Sequence, residues 1–499
     1  MAYIHSNPNQ TYLIPPKITD LFSKDHVCYL IEQIANEMDY SEFDEKYAGA
    51  GAPAYHPRVN LKLLTLAYID GIRSSRRISK NSQENVVYIY LAEKMQPDFR
   101  TISDFRKDNR KLVKNTFKQI IQFAHKQGLI DLSHLMIDGT IIKANAQDDR
   151  KLDKKTIEKL ERYIDREIQK GIEVDEKEDE LYGDRSFHRL PDDLDTKEKR
   201  QKIVREIVDE INKSMKKGDK ENVKQIKSAL LDLKQDMKKQ GLKRLSITDP
   251  DCRFMMNKKG KIELSYNAQL VTDKNGLIIS NDVINKCNDR NQLLPNIRRV
   301  EEDFGKLPKG TILSADQHYT TGNDVVILDQ EGFDIYSSIY GMNKDVKNKF
   351  DKINFTYDEE NDRYICPEGK SLRKAGTAFR THLNAYATDY RASRRDCRPC
   401  QYRKECCKSM LNKQITALSN DKVLNRIKDK MQTEEGKALY NLRKQTVETG
   451  FGDIKHNKKF REFLLRGVKK VKTEWDLVCM ASNLVKINNL MKKRSLAGC

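Results

Sequence analysis

Tryptophan is almost missing from this chain of 499 residues, which has one, and cysteine is sparse, with ten. Ten thiols over that length exclude a disulfide scaffold, which crowds cysteine into a short chain. No uninterrupted apolar stretch approaches the ~18 residues of a membrane span. The opening MAYIHSNPNQ lacks the apolar core of a signal peptide. Membrane and secreted readings are set aside, and the cytoplasm is expected. No repeat of fixed period is present, which excludes a solenoid. Acid is also short: 74 Asp plus Glu face 93 Lys plus Arg, a net charge of +19. Such a chain repels itself unless a polyanion, nucleic acid above all, shares its field.

What is present is unevenly spread. Residues 151 to 240 hold 24 basic and 23 acidic side chains, with Ile157, Leu160, Ile164 and Ile168 at helical spacing. That block reads as an exposed, charged helical insertion over 151–244. The segment from Lys437 onward carries 15 basic and 5 acidic residues, more than half of the whole excess, so the polyanion belongs there. LKLLTLAYIDGI, VVYIYLAEKM and LVKNTFKQIIQFAHKQG are amphipathic helical patterns, and Gly128 stands where a cap would close the last. They predict a helical domain over 1–130. HLMIDGTIIKANA, KIELSYNAQLVT, GLIISNDVI, GTILSAD and DIYSSIY read as strands, with NQLLPNIRRVEEDFG and GNDVVILDQEG as helices between the later ones. Alternation of this kind predicts an α/β core from 131–150 and 245–345, completed by 419–499.

Three acids stand out. Asp138 lies among Leu135, Met136, Ile137, Ile141 and Ile142, where a buried charge needs a partner or a metal. Asp138-Gly139 is equally a type I′ hairpin signal, and both readings stand on this segment alone. Asp316 ends an apolar strand, where α/β sheets place ligands, or it caps the helix that follows. Glu448 lies in YNLRKQTVETGFGDIKHNKKF. At 100° per residue Lys444, Glu448, Phe451 and Lys455 share one helical stripe, with Tyr440 near it. A solvated helix pairing Lys444 with Glu448 gives the same pattern. Gly450 and Gly452 count against it, since each costs about 1 kcal/mol in a helix interior.

IDGT at Asp138, SAD at Asp316 and the spacing Tyr440-x2-Arg443-x4-Glu448-x6-Lys455 resemble the three acidic motifs of bacterial insertion-sequence transposases of the DDE type. The segments HPRVNLKLLTLAYIDGIRSSRRI and DFRTISDFRK resemble their N-terminal region. Two departures are visible: the best-known last motif has three residues between Arg and Glu, and His318 stands where Gly is frequent. The resemblance implies an RNase H-like core with Asp138 on its first strand, Asp316 after its fourth and Glu448 on a late helix. It implies a helical, DNA-binding N-terminal domain and a nucleoid-associated protein, working as a dimer or higher multimer on terminal inverted repeats and target DNA. It also implies strand cleavage and 3′-hydroxyl transfer with two Mg²⁺ or Mn²⁺ ions held by Asp138, Asp316 and Glu448. Tyr440, Arg443 and Lys455 then contact DNA. Rival readings are a DNA-binding protein of the same descent without catalysis, and an RNase H-like structure-specific nuclease.

Cys366, Cys397, Cys400, Cys406 and Cys407 crowd into a basic stretch, 346–418. Four thiolates suit one structural Zn²⁺, with Cys366, Cys397, Cys400 and either Cys406 or Cys407 as ligands; free thiols are the alternative. His134 and His318, though near the acids, match Mg²⁺ poorly and read as packing or phosphate contacts. Asp104 to Lys111 could open a DNA-reading helix behind Thr101 or Ser103, or face solvent in a bundle. Trp475 reads as core, and Asp324 as a helix-surface acid.

Overall fold

The computed structural model describes residues 17–47, 54–146, 151–175, 206–211, 220–239, 244–246, 248–257, 260–339, 349–380, 385–407 and 412–497. The opening decapeptide, residues 176–205 and 212–219, and the expected boundaries at 150 and 346 lie outside them. No described helix is long and apolar enough to cross a membrane.

Among the described residues, seven α-helices precede the first strand: α1 (Cys28–Asn36), α2 (Ser41–Tyr47), α3 (Pro57–Ile69), α4 (Ser75–Glu84), α5 (Val86–Leu91), α6 (Phe99–Asp108) and α7 (Arg110–Lys126). Helix α7 turns Val113, Phe117, Ile120, Ile121 and Ala124 inward. It closes at Gly128, whose φ of +62° lets Leu129 N–H reach Ala124 O at 2.9 Å. One expectation fails here. No helix opens behind Thr101 or Ser103, because Asp98 already caps α6, accepting from the N–H groups of Arg100 (2.6 Å) and Thr101 (2.8 Å).

Strand β1 (His134–Lys143) passes straight through Asp138 and Gly139, so the hairpin alternative is overturned. The charged segment follows, with strands β2 (Lys151–Asp153) and β3 (Arg244–Ser246) pairing as a ribbon and helices α8 (Lys154–Asp175) and α9 (Lys220–Lys239) between them. The predicted stripe Ile157, Leu160 and Ile164 is fully buried; the side chain of Ile168 lies outside the described residues. Then come β4 (Arg253–Met256), β5 (Ile262–Thr272), β6 (Ile278–Ile284), β7 (Ile312–Ala315) and β8 (Asp334–Ser337). Strand β1 is central, antiparallel to β5 on one side and parallel to β7 on the other, in the order β4-β5-β1-β7-β8 with β6 also on β5.

Both faces of this sheet are covered, which is why its middle strands read as near-continuous apolar runs. Leu135, Ile137 and Leu313 pack with α10 (Leu293–Phe304), α11 (Asp324–Gln330) and α12 (Asp421–Lys430). Met136, Ala268 and Leu270 join a second cluster with Trp475, Val478 and Leu484 of α15 (Val468–Ala497). That cluster also holds Val59, Leu63, Leu64, Phe117 and Ile120, so the first helices share a core with the last one. Between β8 and α12 lies a sheet that no sequence pattern announces. Strands β9 (Thr356–Asp358), β10 (Arg363–Ile365), β11 (Ser371–Arg380), β12 (Ala385–Ala392) and β13 (Gln414–Leu418) form an antiparallel meander around Phe350, Phe355, Leu372, Tyr390 and Ile415.

Candidate active site

Register brings the two aspartates together. In the parallel pairing of β1 with β7, Leu135 faces Leu313 and Ile137 faces Ala315. One further step sets Asp138 beside Asp316, just past the carboxyl end of β7. There Asp316 Oδ1 accepts from Gln317 N–H at 2.6 Å and caps the short turn Gln317–Thr320. The capping alternative is realised, and it uses one of the two carboxylate oxygens.

The third acid arrives by a broken helix. Helix α13 (Glu434–Gln445) stops at Thr446, whose ψ of −87° leaves the helical region; α14 (Val447–Gly452) then leads into a π-helical turn, Asp453–Asn457. The single stripe of Lys444, Glu448, Phe451 and Lys455 is therefore not formed. The break falls inside the interval between Arg443 and Glu448 that is one residue longer than the motif it resembles. Val447 and Phe451 bury in the core while Glu448 stays exposed. Lys455 turns inward, its Nζ donating to Thr140 Oγ1 (2.6 Å) and Ile141 O (3.3 Å) on β1.

Arg443 links these parts. Its Nη2 lies 3.2 Å from Asp138 Oδ2, and its Nη1 donates to Tyr440 Oη at 3.0 Å. The Tyr440 hydroxyl also shares a hydrogen bond with Ser338 Oγ at 3.2 Å. The arginine is only 5 % exposed. Burial opposes its charge, and the carboxylates of Asp138, Asp316 and Glu448, with Tyr440, outweigh that penalty and raise its pKa. Burial also pushes the Asp138 carboxyl up to about 6; Arg443 and the Gly139 N–H pull it back, while Asp316 and Asp289 push it further up. Tyr440 and Arg443 thus face the acids.

Asp289, in the loop after β6, was not singled out by any sequence pattern. Its Oδ1 accepts from Asn267 Nδ2 (2.8 Å) and Gln269 Nε2 (2.7 Å). Gln269 lies opposite Gly139 across the ladder, and a Cβ on Gly139 would stand 2.4 Å from both Asp289 Oδ1 and Gln269 Nε2. Only glycine fits. A glycine inside a strand pattern marks such close approach, and that was the available signal. Gln269 Oε1 accepts in turn from Tyr319 and from Asn296 Nδ2, and Trp475 Nε1 donates to Gln269 O at 3.2 Å. Trp475 is core, as expected.

Two neighbours complete the picture. Asp324 is buried, not a surface acid: it accepts from Leu294 N–H at 3.2 Å and ties α11 to α10. His134 is buried with Nε2 2.8 Å from Ser314 Oγ, and burial holds its pKa down to about 4, so it packs as a neutral ring. Beside Gly139 opens a cleft of about 730 Å³ whose lining includes Asp289, His318 and Lys455.

Among the described residues, no group of three or more His, Cys, Asp or Glu side chains stands ready to hold a metal ion. The donor chemistry at the acids nevertheless fits Mg²⁺, which takes one or two hard carboxylates and keeps most of its waters. The charge now offsetting the pair is Arg443. Beside the second sheet, in the connections after β10 and between β12 and β13, Cys366, Cys397, Cys400, Cys406 and Cys407 line one cavity of about 30 Å³. Lys370 N–H donates to Cys366 Sγ at 3.3 Å, in a turn closed by Gly369 at φ +75°. Burial raises the pKa of the thiols of Cys397, Cys406 and Cys407.

Comparison with known families gives two matches. Residues 365–488 match a transposase DDE domain, and residues 16–108 match a transposase domain. The first covers the cysteines, Arg443, Glu448 and Lys455; Asp138 and Asp316 lie outside both. No curated protein and no solved structure matches the chain.

Proposed function

The two matches make this chain an insertion-sequence transposase of the DDE type, and from that premise we propose that it nicks DNA at its element's ends and joins the freed 3′-hydroxyls to target DNA. The observation that carries the reading is the adjacency of Asp138 and Asp316 with a buried arginine offsetting their charge. A binding-only descendant has no use for so costly a cluster. The strand order, with β1 central between antiparallel β5 and parallel β7, supports an RNase H-like core. On this reading 1–130 is a DNA-binding helical domain, 131–150 and 245–345 with 419–499 form the core, and 151–244 and 346–418 are insertions.

Asp138, Asp316 and Glu448 would hold two Mg²⁺ or Mn²⁺ ions, which activate the attacking oxygen and stabilise the leaving one. Arg443 keeps Asp138 ionised and in place, and Tyr440 holds Arg443. Lys455, fixed on Thr140, presents a cation to substrate phosphate beside the acids. A structural Zn²⁺ on Cys366, Cys397, Cys400 and Cys406, or Cys407 as the fourth, is supported by the five thiols around one cavity and the N–H donated to Cys366 Sγ. Action as a dimer or larger multimer on DNA in the bacterial nucleoid completes the proposal.

The test is nicking and joining of DNA bearing the element's terminal repeats, in Mg²⁺ or Mn²⁺. Asp138→Asn, Asp316→Asn and Glu448→Gln should each lower both steps by several orders of magnitude while DNA binding survives. Binding without nicking by the native chain would point to the inactive descendant, and nicking without joining to the nuclease.

A further inference from the structure

The cleft beside the acids is asymmetric. Gly139 and Asp289 stand at one end, and Lys143, Lys455, His456 and Arg461 line much of the rest. Backbone pairing fixes that convergence: Lys143 N–H donates to Arg461 O (3.4 Å) and Phe463 N–H to Lys143 O (2.9 Å), so Lys143 and Arg461 stand together. Cations leading toward carboxylates suit a phosphodiester backbone whose reacting end lies at the acids. At about 730 Å³ the cleft has the size of a small-ligand site, roughly 300 to 1,000 Å³. That is room for part of one strand and not for a paired duplex.

One rim of the cleft is the β4–β5 hairpin. Its turn is held by Asn257 N–H to Lys261 O (2.8 Å) and Lys261 N–H to Asn257 Oδ1 (3.0 Å). The last cross-strand pair before the turn is Met256 with Ile262. These two side chains are 64 % and 61 % exposed, and Met256 itself lines the cleft. Nothing among the described residues covers them, although an exposed strand pair could have carried polar residues there. Lys261 adjoins the pair; Glu263, the acid of this rim, is already engaged by Asn257 Nδ2 at 3.1 Å.

We propose that the β4–β5 hairpin is a wedge: Met256 and Ile262 enter between base pairs of duplex DNA beside the cleavage site, and the strand so released lies along Lys143, Lys455 and Arg461 with its scissile phosphate at Asp138 and Asp316. The assignment rests on the transposase reading and adds how a paired substrate reaches a cleft that fits one strand. Apolar side chains of this type unstack a base step at a cost of a few kcal/mol. The cations along the cleft supply the attraction that offsets it. That charge complementarity selects DNA over an apolar protein surface as the occupant.

The test compares the full chain with the double variant Met256→Ser, Ile262→Ser on two duplexes bearing the terminal repeat and 2-aminopurine at the cleavage site. One duplex is fully paired and the other mismatched there. In Ca²⁺, without cleavage, the native chain should raise 2-aminopurine fluorescence on the paired duplex and the variant should not. In Mn²⁺ the variant should nick the paired duplex about tenfold more slowly, because the unstacking cost is no longer met by the wedge, and recover on the mismatched one. Because both side chains are exposed, the melting temperature should not move. Equal fluorescence and nicking by the two proteins overturns the wedge. So does an equal defect on both duplexes, or loss of self-association by the variant with unchanged fluorescence, which would make the pair a contact between copies. If the native chain brightens the paired duplex but nicks neither, the wedge stands and the transposase reading fails.

Discussion

Replacing Asp138 by asparagine should make the metal-free protein more stable while it abolishes the chemistry. The Asp138 carboxyl sits at about 6 in the fold against 3.8 in an open chain. Each unit is worth about 1.4 kcal/mol, so ionising this group inside the fold costs about 3 kcal/mol more than in the unfolded chain. The folded pKa is the raised one. The associated stability is therefore fully present below about pH 4, is lost as pH rises through 6, and stays lost above it. Asparagine carries no charge at any pH and escapes the loss. The broken 3.2 Å contact with Arg443 works the other way, but Asp316 and Glu448 still face that arginine. In EDTA at pH 8 the variant should melt several degrees above the native chain. At pH 4 the two should converge. Mg²⁺ should then raise the native melting temperature and leave the variant's unchanged, because a ligand stabilises only the state that binds it. A variant melting at or below the native chain at pH 8, or a gap that persists at pH 4, would refute the reasoning.

Gly139→Ala should cost about 1 to 3 kcal/mol by overpacking against Asp289 and Gln269, and slow nicking; native-like melting and turnover would show that the contact relaxes freely. Asp324→Ala should destabilise by about 1 to 3 kcal/mol through the orphaned Leu294 N–H, whereas exposed Asp104→Asn should fall within about 0.5 kcal/mol in the same denaturation series. Cys397→Ser or Cys400→Ser should lose about one Zn²⁺ per chain by elemental analysis and expose 346–418 to protease while the core stays folded; a metal-free native chain with a resistant second sheet would sink that assignment. DNA affinity should fall steeply with salt, by ~0.9 in log-log slope for each phosphate neutralised by the basic segment after Lys437, and a slope near zero in a binding titration would contradict it.

The core strands and their helices were legible because burial on two faces writes itself as apolar runs, and α10 because Leu293, Ile297 and Val300 recur at helical spacing. Asp138-Gly139 was ambiguous for a physical reason. The glycine that signals a hairpin is present here because Asp289 and Gln269 crowd β1, and that crowding comes from residues more than a hundred positions away. The stripe through Glu448 failed because the helix breaks at Thr446, after which Val447 and Phe451 turn into the core, and helical periodicity does not register such a break. Asp289 itself carried no pattern, since the loop NKCNDRNQ has no period, and only Gly139 hinted that something approaches β1 there. Strand β11 leaves Arg373 to Arg380 in solvent, and β12 buries mainly the small Ala385, Ala387 and Ala392, so neither writes a strong apolar alternation.

The shared core of the first and last helices sets a clock on synthesis. Helices α3 and α7 find Trp475, Val478 and Leu484 only when α15 has been made, roughly 340 residues after α7 ends. At ~5 to 20 residues per second that is an interval of roughly 20 to 70 s during which Leu63, Leu64, Phe117 and Ile120 have left the ribosome without their partners. A chain released early is therefore left with an uncovered apolar face, the kind of surface that chaperones and proteases act on.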